Sequence, residues 1–179
     1  MDAFDADVLI YAAAPGHPLG RRVRRLFADV SRQHVGIGSV VLLPEVLARP
    51  LRNGSTREVT DLVELLSRLD LRPAGPFVAE VATSLAAAHR LRAADAFHLA
   101  TAVLAGADRF ITNNRRDFGP SITEIEIVYP DGLDESQPAA SRGAAHRCVR
   151  RAATSVARLE AASFWRIRAT CCSTVFGEM

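Results

Sequence analysis

Residues 90–118 constrain the chain more than any other stretch: Arg-Leu-Arg-Ala-Ala-Asp-Ala-Phe-His-Leu-Ala-Thr-Ala-Val-Leu-Ala-Gly-Ala-Asp-Arg-Phe-Ile-Thr-Asn-Asn-Arg-Arg-Asp-Phe. The order is helix, glycine stop, short strand and polar turn. Ala94, Phe97, Thr101 and Leu104 recur at helical spacing, with Val103 beside them, which predicts a helix with one face on a core. Gly106 can take the left-handed conformation that closes a helix. Arg109 to Thr112 suits a short buried strand, and Asn113-Asn114 breaks it. Asp95 then falls in the first turn of the helix, where negative charge is favoured, and Asp117 falls just past the end of a strand. Carboxylates so placed serve either as a cap and a turn residue or as half of a metal site.

The preceding chain shows the same alternation. A short strand near Ala3-Phe4 turns at Asp5 into a helix over residues 8–13. A second helix is predicted over residues 18–30, with Leu19, Val23, Leu26, Phe27 and Val30 on one side and Arg21, Arg22, Arg24 and Arg25 on a solvated side. Residues 35–38 suit a strand. Ser39 is placed to cap the helix over residues 40–51, which carries Glu45 in its early turns and tolerates Pro44 only near its start. Ser55 and Glu58 have capping-box spacing ahead of a helix to about Leu69, with Val59, Leu62, Val63, Leu66 and Leu69 apolar. A strand at residues 70–72, an alanine-rich helix over residues 77–89 and a last strand at residues 125–129 complete the pattern. Strands separated by helices imply crossover connections and a parallel sheet covered on both faces, a three-layer α/β/α domain. Ligands bind such sheets outside the carboxyl ends of the strands. Asp5, Glu45, Asp95 and Asp117 are all predicted close to that edge.

Composition narrows the class. Hydrophobic residues make up 49% of the 179, enough for a core. No apolar run approaches the ~20 residues needed to cross a bilayer, and the start, Met1-Asp2-Ala3-Phe4-Asp5, is unlike a signal peptide, so a cytoplasmic location is expected. All 22 basic residues are arginine, which excludes chemistry that requires lysine. Residues 1–132 hold 15 Arg against 16 Asp and Glu, and residues 133–179 hold 7 against 4, giving net charges of −1 and +3. The near-neutral body does not advertise nucleic-acid binding by charge alone. Cys148, Cys171 and Cys172 lie in the C-terminal part, with neither the number nor the spacing of a zinc site or disulfide framework. From residue 133 periodicity weakens. Residues 150–167 could form a helix but show no coherent core face, so residues 1–132 are read as the domain and 133–179 as an appended tail, poorly structured and largely disordered or weakly helical.

Several acids at one sheet edge raise one another's pKa when buried together, and a divalent cation resolves that conflict. Mg²⁺ and Mn²⁺ prefer oxygen ligands, and such ions activate water and stabilise leaving oxygens in phosphodiester cleavage.

A family resemblance sharpens this. The run Phe4-Asp5-Ala6-Asp7-Val8-Leu9-Ile10-Tyr11 is similar to the opening of PIN domains, an aspartate followed by Thr-Asn-Val-Leu-Ile. Residues 39–47 resemble the helix that supplies the family's glutamate. Residues 91–118 resemble its most recognisable part, Asp-Ala-x-His-Leu-Ala-Thr-Ala followed by Phe-Ile-Thr-Asn-(Asp/Asn)-x-Asp-Phe. The resemblance spans about residues 3–130 and points most closely to VapC-type toxins of toxin–antitoxin pairs. It implies a Mg²⁺- or Mn²⁺-dependent endoribonuclease acting on RNA, neutralised by a small antitoxin and forming a homodimer. Asp5, Glu45 and Asp95 match the acidic core of the family's site, and Asp117 its late aspartate. Ala6 replaces a usual hydroxyl residue, Asp7 stands at a usual Asn or Ser position, and Asn114 stands where many members have a further aspartate. An amide at position 114 brings no charge, which puts one metal ligand in doubt.

The neighbours of these acids have two readings each. Thr112 and Asn114 are read as supporting residues, Thr112 as one that orients its neighbours. Arg90, Arg92, Arg115 and Arg116 are candidates for RNA-phosphate contacts, with surface solvation the competing reading. His98, one turn from Asp95, is read as structural. Leu9, Ile10, Leu47 and Leu51 are weighed as an antitoxin groove against simple core. Two other functions compete with the nuclease. One is a PIN-like binding module weakened by Asn114. The other is a haloacid-dehalogenase-type phosphatase or receiver domain, suggested by Asp5-Ala6-Asp7. Both of these phosphoryl families normally use lysine, and neither explains residues 91–118.

Overall fold

The computed structural model describes residues 1–133. The expected tail beyond Leu133, including the helix weighed over residues 150–167, lies outside the described residues.

Five short strands form one parallel sheet: β1 (Asp2–Phe4), β2 (Gly36–Ser39), β3 (Leu69–Arg72), β4 (Arg109–Ile111) and β5 (Glu126–Val128), in the order β3-β2-β1-β4-β5. Helices α1 (Ala6–Ala13), α2 (Pro18–Leu26), α3 (Leu42–Arg52) and α4 (Thr56–Ser67) pack among themselves, and α5 (Pro76–His89) packs on α6 (Ala93–Leu104), which lies against β2 and β4. The architecture is the expected α/β/α arrangement. Its order matters for function. From β1 the chain moves outward to β2 and β3, and from β4 it moves the other way to β5, so β1 and β4 flank the point where strand order reverses. In open parallel sheets the crevice at that point takes the ligand. Phe4 lies opposite Ile111 in the register, and the next residue, Asp5, donates its N–H to the Ile111 carbonyl at 3.0 Å.

The core explains the strand brevity. Phe4, Phe110, Ile111 and Leu9 are almost wholly buried. Residues covered on both faces read as short apolar runs rather than as alternation. Gly36 is needed where Phe4 crosses the sheet, because a Cβ there would meet the Phe4 ring at 2.3 Å. Leu133 joins the same core, so burial reaches at least to the first residue assigned by composition to the tail.

Several local expectations are corrected. The second helix ends at Leu26 rather than Val30. The Asp29 carboxylate accepts the Ser31 N–H at 3.0 Å, a turn that competes with further helix, and Val30 is 86% exposed. Its arginines are not a purely solvated face either: Arg22 donates to the Asp131 carbonyl at 2.6 Å and Arg24 to the Ala12 carbonyl. Ser39 ends β2 instead of capping a helix. Its hydroxyl accepts the Val41 N–H at 3.2 Å, and α3 starts after that turn. The Ser55–Glu58 capping box does not form, since Ser55 makes no side-chain cap. In α4 the buried stripe is Leu62, Leu65 and Leu66, while Val63 is exposed. In α6 the buried belt is Ala96, His98, Leu99, Ala100, Thr101 and Ala102, and Leu104 is exposed. The physical reason is that α6 packs both on α5 and on the sheet. A wide belt of alanines therefore goes inward instead of a narrow stripe of large residues.

Packing of α2 on α1 depends on Gly20, where an added Cβ would lie 1.8 Å from the Tyr11 carbonyl oxygen. Backbone cannot yield there as a flexible side chain would. Gly20→Ala is expected to destabilise the domain by about 2 kcal/mol or more in a urea melt, in the range for overpacked cores or beyond it. A change below about 0.5 kcal/mol would show that α2 is free to shift.

Candidate active site

Three helices present their N-terminal ends at the carboxyl edge of the sheet, and each brings an acid. Asp5 is the N-cap of α1, Glu45 lies in the first turn of α3, and Asp95 in the first turn of α6. The positive ends of these helices favour carboxylates at such positions. The same placement concentrates negative charge. Asp5 is 3% exposed, and burial pushes its carboxyl above the usual range. Asp95 is raised to about 6, first by burial and then by the charges of Asp5, Asp117 and Glu45. The four acids singled out in the sequence therefore act on a common electrostatic field centred on Asp95.

Three of the four acids, Asp5, Glu45 and Asp117, are also held by hydrogen bonds. Asp5 Oδ1 accepts the Ala6 N–H at 2.8 Å and Oδ2 accepts the Thr112 hydroxyl at 2.6 Å. Thr112, fully buried, takes the Asn114 N–H on its own oxygen at 3.0 Å. The Asn114 amide donates to Asp117 Oδ2 at 2.9 Å, and its carbonyl accepts the Asp117 N–H at 3.3 Å. One network thus ties Asp5 at the end of β1 to Asp117 beyond β4. Thr112 and Asn114 are the links in that network.

Two further polar side chains, Asp7 and His98, lie against these acids. Asp7 accepts the Asn113 N–H on Oδ2 at 3.0 Å, while its Oδ1 is buried with no partner. Its carboxyl is raised to about 7, first by burial and then by Asp5. The signal was present, as an acid where the family pattern has Asn or Ser. His98, expected to be structural, contacts Glu45 Oε2 through its Nε2 at 2.7 Å. Its i+3 spacing from Asp95 placed it on the right face of α6, but no sequence signal tied it to Glu45.

The four arginines divide. Arg115 makes a bidentate pair with Asp131 at 2.6 Å and lies 3.9 Å over the Tyr129 ring, so it braces the turn at residues 130–132. Arg90 and Arg92 are exposed at the junction of α5 and α6, Arg90 in the left-handed conformation with φ of 59°. The Arg116 side chain is 86% exposed and stands 3.9 Å from Asp117. Of the apolar residues weighed as a groove, Leu9 is core and Leu47 packs against it, whereas Ile10 and Leu51 are 39% and 61% exposed.

Among the described residues no three His, Cys, Asp or Glu side chains converge as a ready-made metal shell. The residues nevertheless fit a divalent cation. The donors are hard oxygens, the carboxyls of Asp5, Asp7 and Asp95 are held above their usual range by burial and mutual repulsion, and the buried Asp7 Oδ1 lacks a partner. A groove of about 420 Å³ lined by Gly119, Pro120, Ile122, Ile125 and Tyr129 contains none of the four acids.

A PIN-domain family model matches residues 3–119, more than half of the chain, and the chain belongs to that family. The phosphatase and receiver alternatives therefore fall away. The fold is similar to that of a toxin–antitoxin complex from Klebsiella pneumoniae, with a TM-score of 0.55 and 23% identity, covering 73% of this chain and 98% of that one. It is similar also to VapBC2 from Rickettsia felis bound to a DNA fragment from their promoter, with a TM-score of 0.57 and 16% identity, covering 72% and 97%. No curated protein sequence matches the chain. No helix among the described residues is long and apolar enough to cross a membrane.

The raised carboxyls carry a stability cost with a definite sign. A folded-state pKa above the unfolded value means that the folded protein binds more protons than the unfolded chain between about pH 4 and pH 6–7. Stability of the cation-free protein therefore falls as pH rises through that window. In EDTA, Asp95→Asn is expected to melt at a higher temperature than the parent at pH 7.5, with the difference shrinking towards pH 4. A variant that melts lower at pH 7.5 would mean that the Asp95 charge is compensated within the fold.

Proposed function

We propose that the protein is a divalent-metal-dependent endoribonuclease of the VapC type, with Asp5, Glu45, Asp95 and Asp117 as its acidic site. The observation that carries this reading is the electrostatic strain of the cluster: carboxyls gathered at the strand-order reversal, with Asp5, Asp95 and the adjacent Asp7 raised by burial and by neighbouring carboxylates. PIN-family membership supports a nuclease, and the similarity in fold to toxin–antitoxin complexes supports the toxin reading.

Asp5, Glu45 and Asp95, with Asp117, would hold Mg²⁺ or Mn²⁺. When bound, such a cation supplies water activation and charge neutralisation at a phosphodiester. The chain's own contribution is placement. Thr112 and the Ala6 N–H fix both oxygens of Asp5, and Asn114 clamps Asp117 from two sides. Asn114 thereby replaces the charge of a further aspartate with orientation of the one that remains, which favours the enzyme over the weakened binding module. Arg90, Arg92 and Arg116 are the exposed guanidiniums available to RNA phosphates. A small antitoxin is the natural partner for a cytoplasmic toxin of this type, with exposed Ile10 and Leu51 as apolar contacts for it, and a homodimer is the assembly expected from the family.

Purified full-length protein is expected to cleave RNA with Mg²⁺ or Mn²⁺ and to stop in EDTA. Asp5→Asn and Asp95→Asn should each lower the rate by about 100-fold or more, beyond the usual loss for an outer-shell partner. Cleavage that survives both substitutions would place the activity elsewhere.

A further inference from the structure

The one contact near the acids that no reading of the family pattern assigns is made by His98. Its side chain is fully buried on α6, while the Glu45 side chain it touches is 35% exposed. The two residues come from helices 53 positions apart in the chain, and their 2.7 Å separation is that of a good charge-assisted hydrogen bond. His98 follows Asp95 by three residues and so shares its face of α6.

Hydrogen-bond accounting gives the contact a direction. His98 Nδ1 is buried with no partner. Buried N–H groups are seldom left orphaned, whereas a spare lone pair is tolerated more readily. The proton therefore belongs on Nε2, which donates to Glu45 Oε2 and leaves Oε1 free of this bond. A glutamate has three rotatable side-chain bonds, and Glu45 stands on a partly exposed first turn with no other hydrogen-bond partner among the described residues. Without His98 nothing would select one rotamer.

We propose that His98 is a positioning residue for Glu45: it holds one carboxylate oxygen so that the other faces the cation site. This rests on the reading of Glu45 as a metal ligand. Ligating carboxylates are commonly hydrogen-bonded in this manner, and loss of such a partner typically weakens metal binding about 10- to 100-fold. The role differs from that of Thr112 and Asn114, which act on Asp5 and Asp117 from the loop after β4. His98 links α6 to α3 and so couples the placement of Asp95 and Glu45.

The test is Mn²⁺ affinity, read by electron paramagnetic resonance on full-length protein, with circular dichroism and melting temperature as controls for folding. His98→Gln keeps an N–H donor of similar reach and should stay within about threefold of the parent. His98→Asn, whose amide is too short, and His98→Leu, which has no donor, should bind Mn²⁺ about 10- to 100-fold more weakly. In a Glu45→Gln background, His98→Asn should cause no further loss, because the oxygen it positions is already altered. Should His98→Leu fail to fold, the Gln and Asn pair still decides. Parent-like affinity in His98→Asn, or the same loss with and without Glu45→Gln, overturns the proposal while leaving the metal site intact. A parent protein that binds no Mn²⁺, or a Glu45→Gln variant with unchanged affinity, overturns both the proposal and the site reading beneath it.

Discussion

Repulsion among carboxylates that the fold forces together is the constraint on which the rest of the site depends. Asp5 cannot leave, because it directly follows β1, caps α1, and donates its N–H to Ile111 on the neighbouring strand. Its carboxylate then sits almost wholly buried beside the first turns of two other helices, each with its own acid. Helix N-termini offset part of this charge, but each contributes only about 0.3–1 kcal/mol at ordinary exposure. That is too little to hold Asp7 and Asp95 in the usual carboxylate range. A domain that retains such a cluster keeps it at the expense of stability, the common pattern for functional sites.

The surrounding network converts that strain into fixed geometry. Hydrogen bonds run from Asp5 through Thr112 and Asn114 to Asp117, and a separate bond joins His98 to Glu45. None of these donors removes the negative charge; each only orients it. The arrangement suits a site that accepts a cation more than one that neutralises itself with internal ion pairs. Arg115 illustrates the contrast. It lies in the same loop as Asn114, yet it pairs with Asp131 and stacks on Tyr129 rather than turning towards the acids.

Much of this was legible in the sequence, for identifiable reasons. Strand–helix alternation announces a parallel sheet, and acids just after strands or in first helical turns must fall near one edge. Residues 90–118 gave the helix, the Gly106 stop and the strand almost residue by residue, because each is set by local chemistry. What failed was tertiary. The inward face of α6 was misread, since apolar periodicity favours large residues and the true belt is alanine and histidine packed on two neighbours. The early end of α2 depended on a side-chain turn at Asp29. The role of His98 depended on α3 approaching α6, which spacing along one helix cannot reveal.

The central claim is that the acids at the β1–β4 junction form one cation site. Anomalous diffraction from crystals of the protein soaked in Mn²⁺ tests it most directly. The account predicts a manganese peak bounded by the carboxylates of Asp5 and Asp95, with Glu45 or Asp117 completing the shell directly or through water, and loss of the peak in Asp5→Asn. A fully ordered junction with no manganese there, or manganese bound only at other carboxylates, would contradict it.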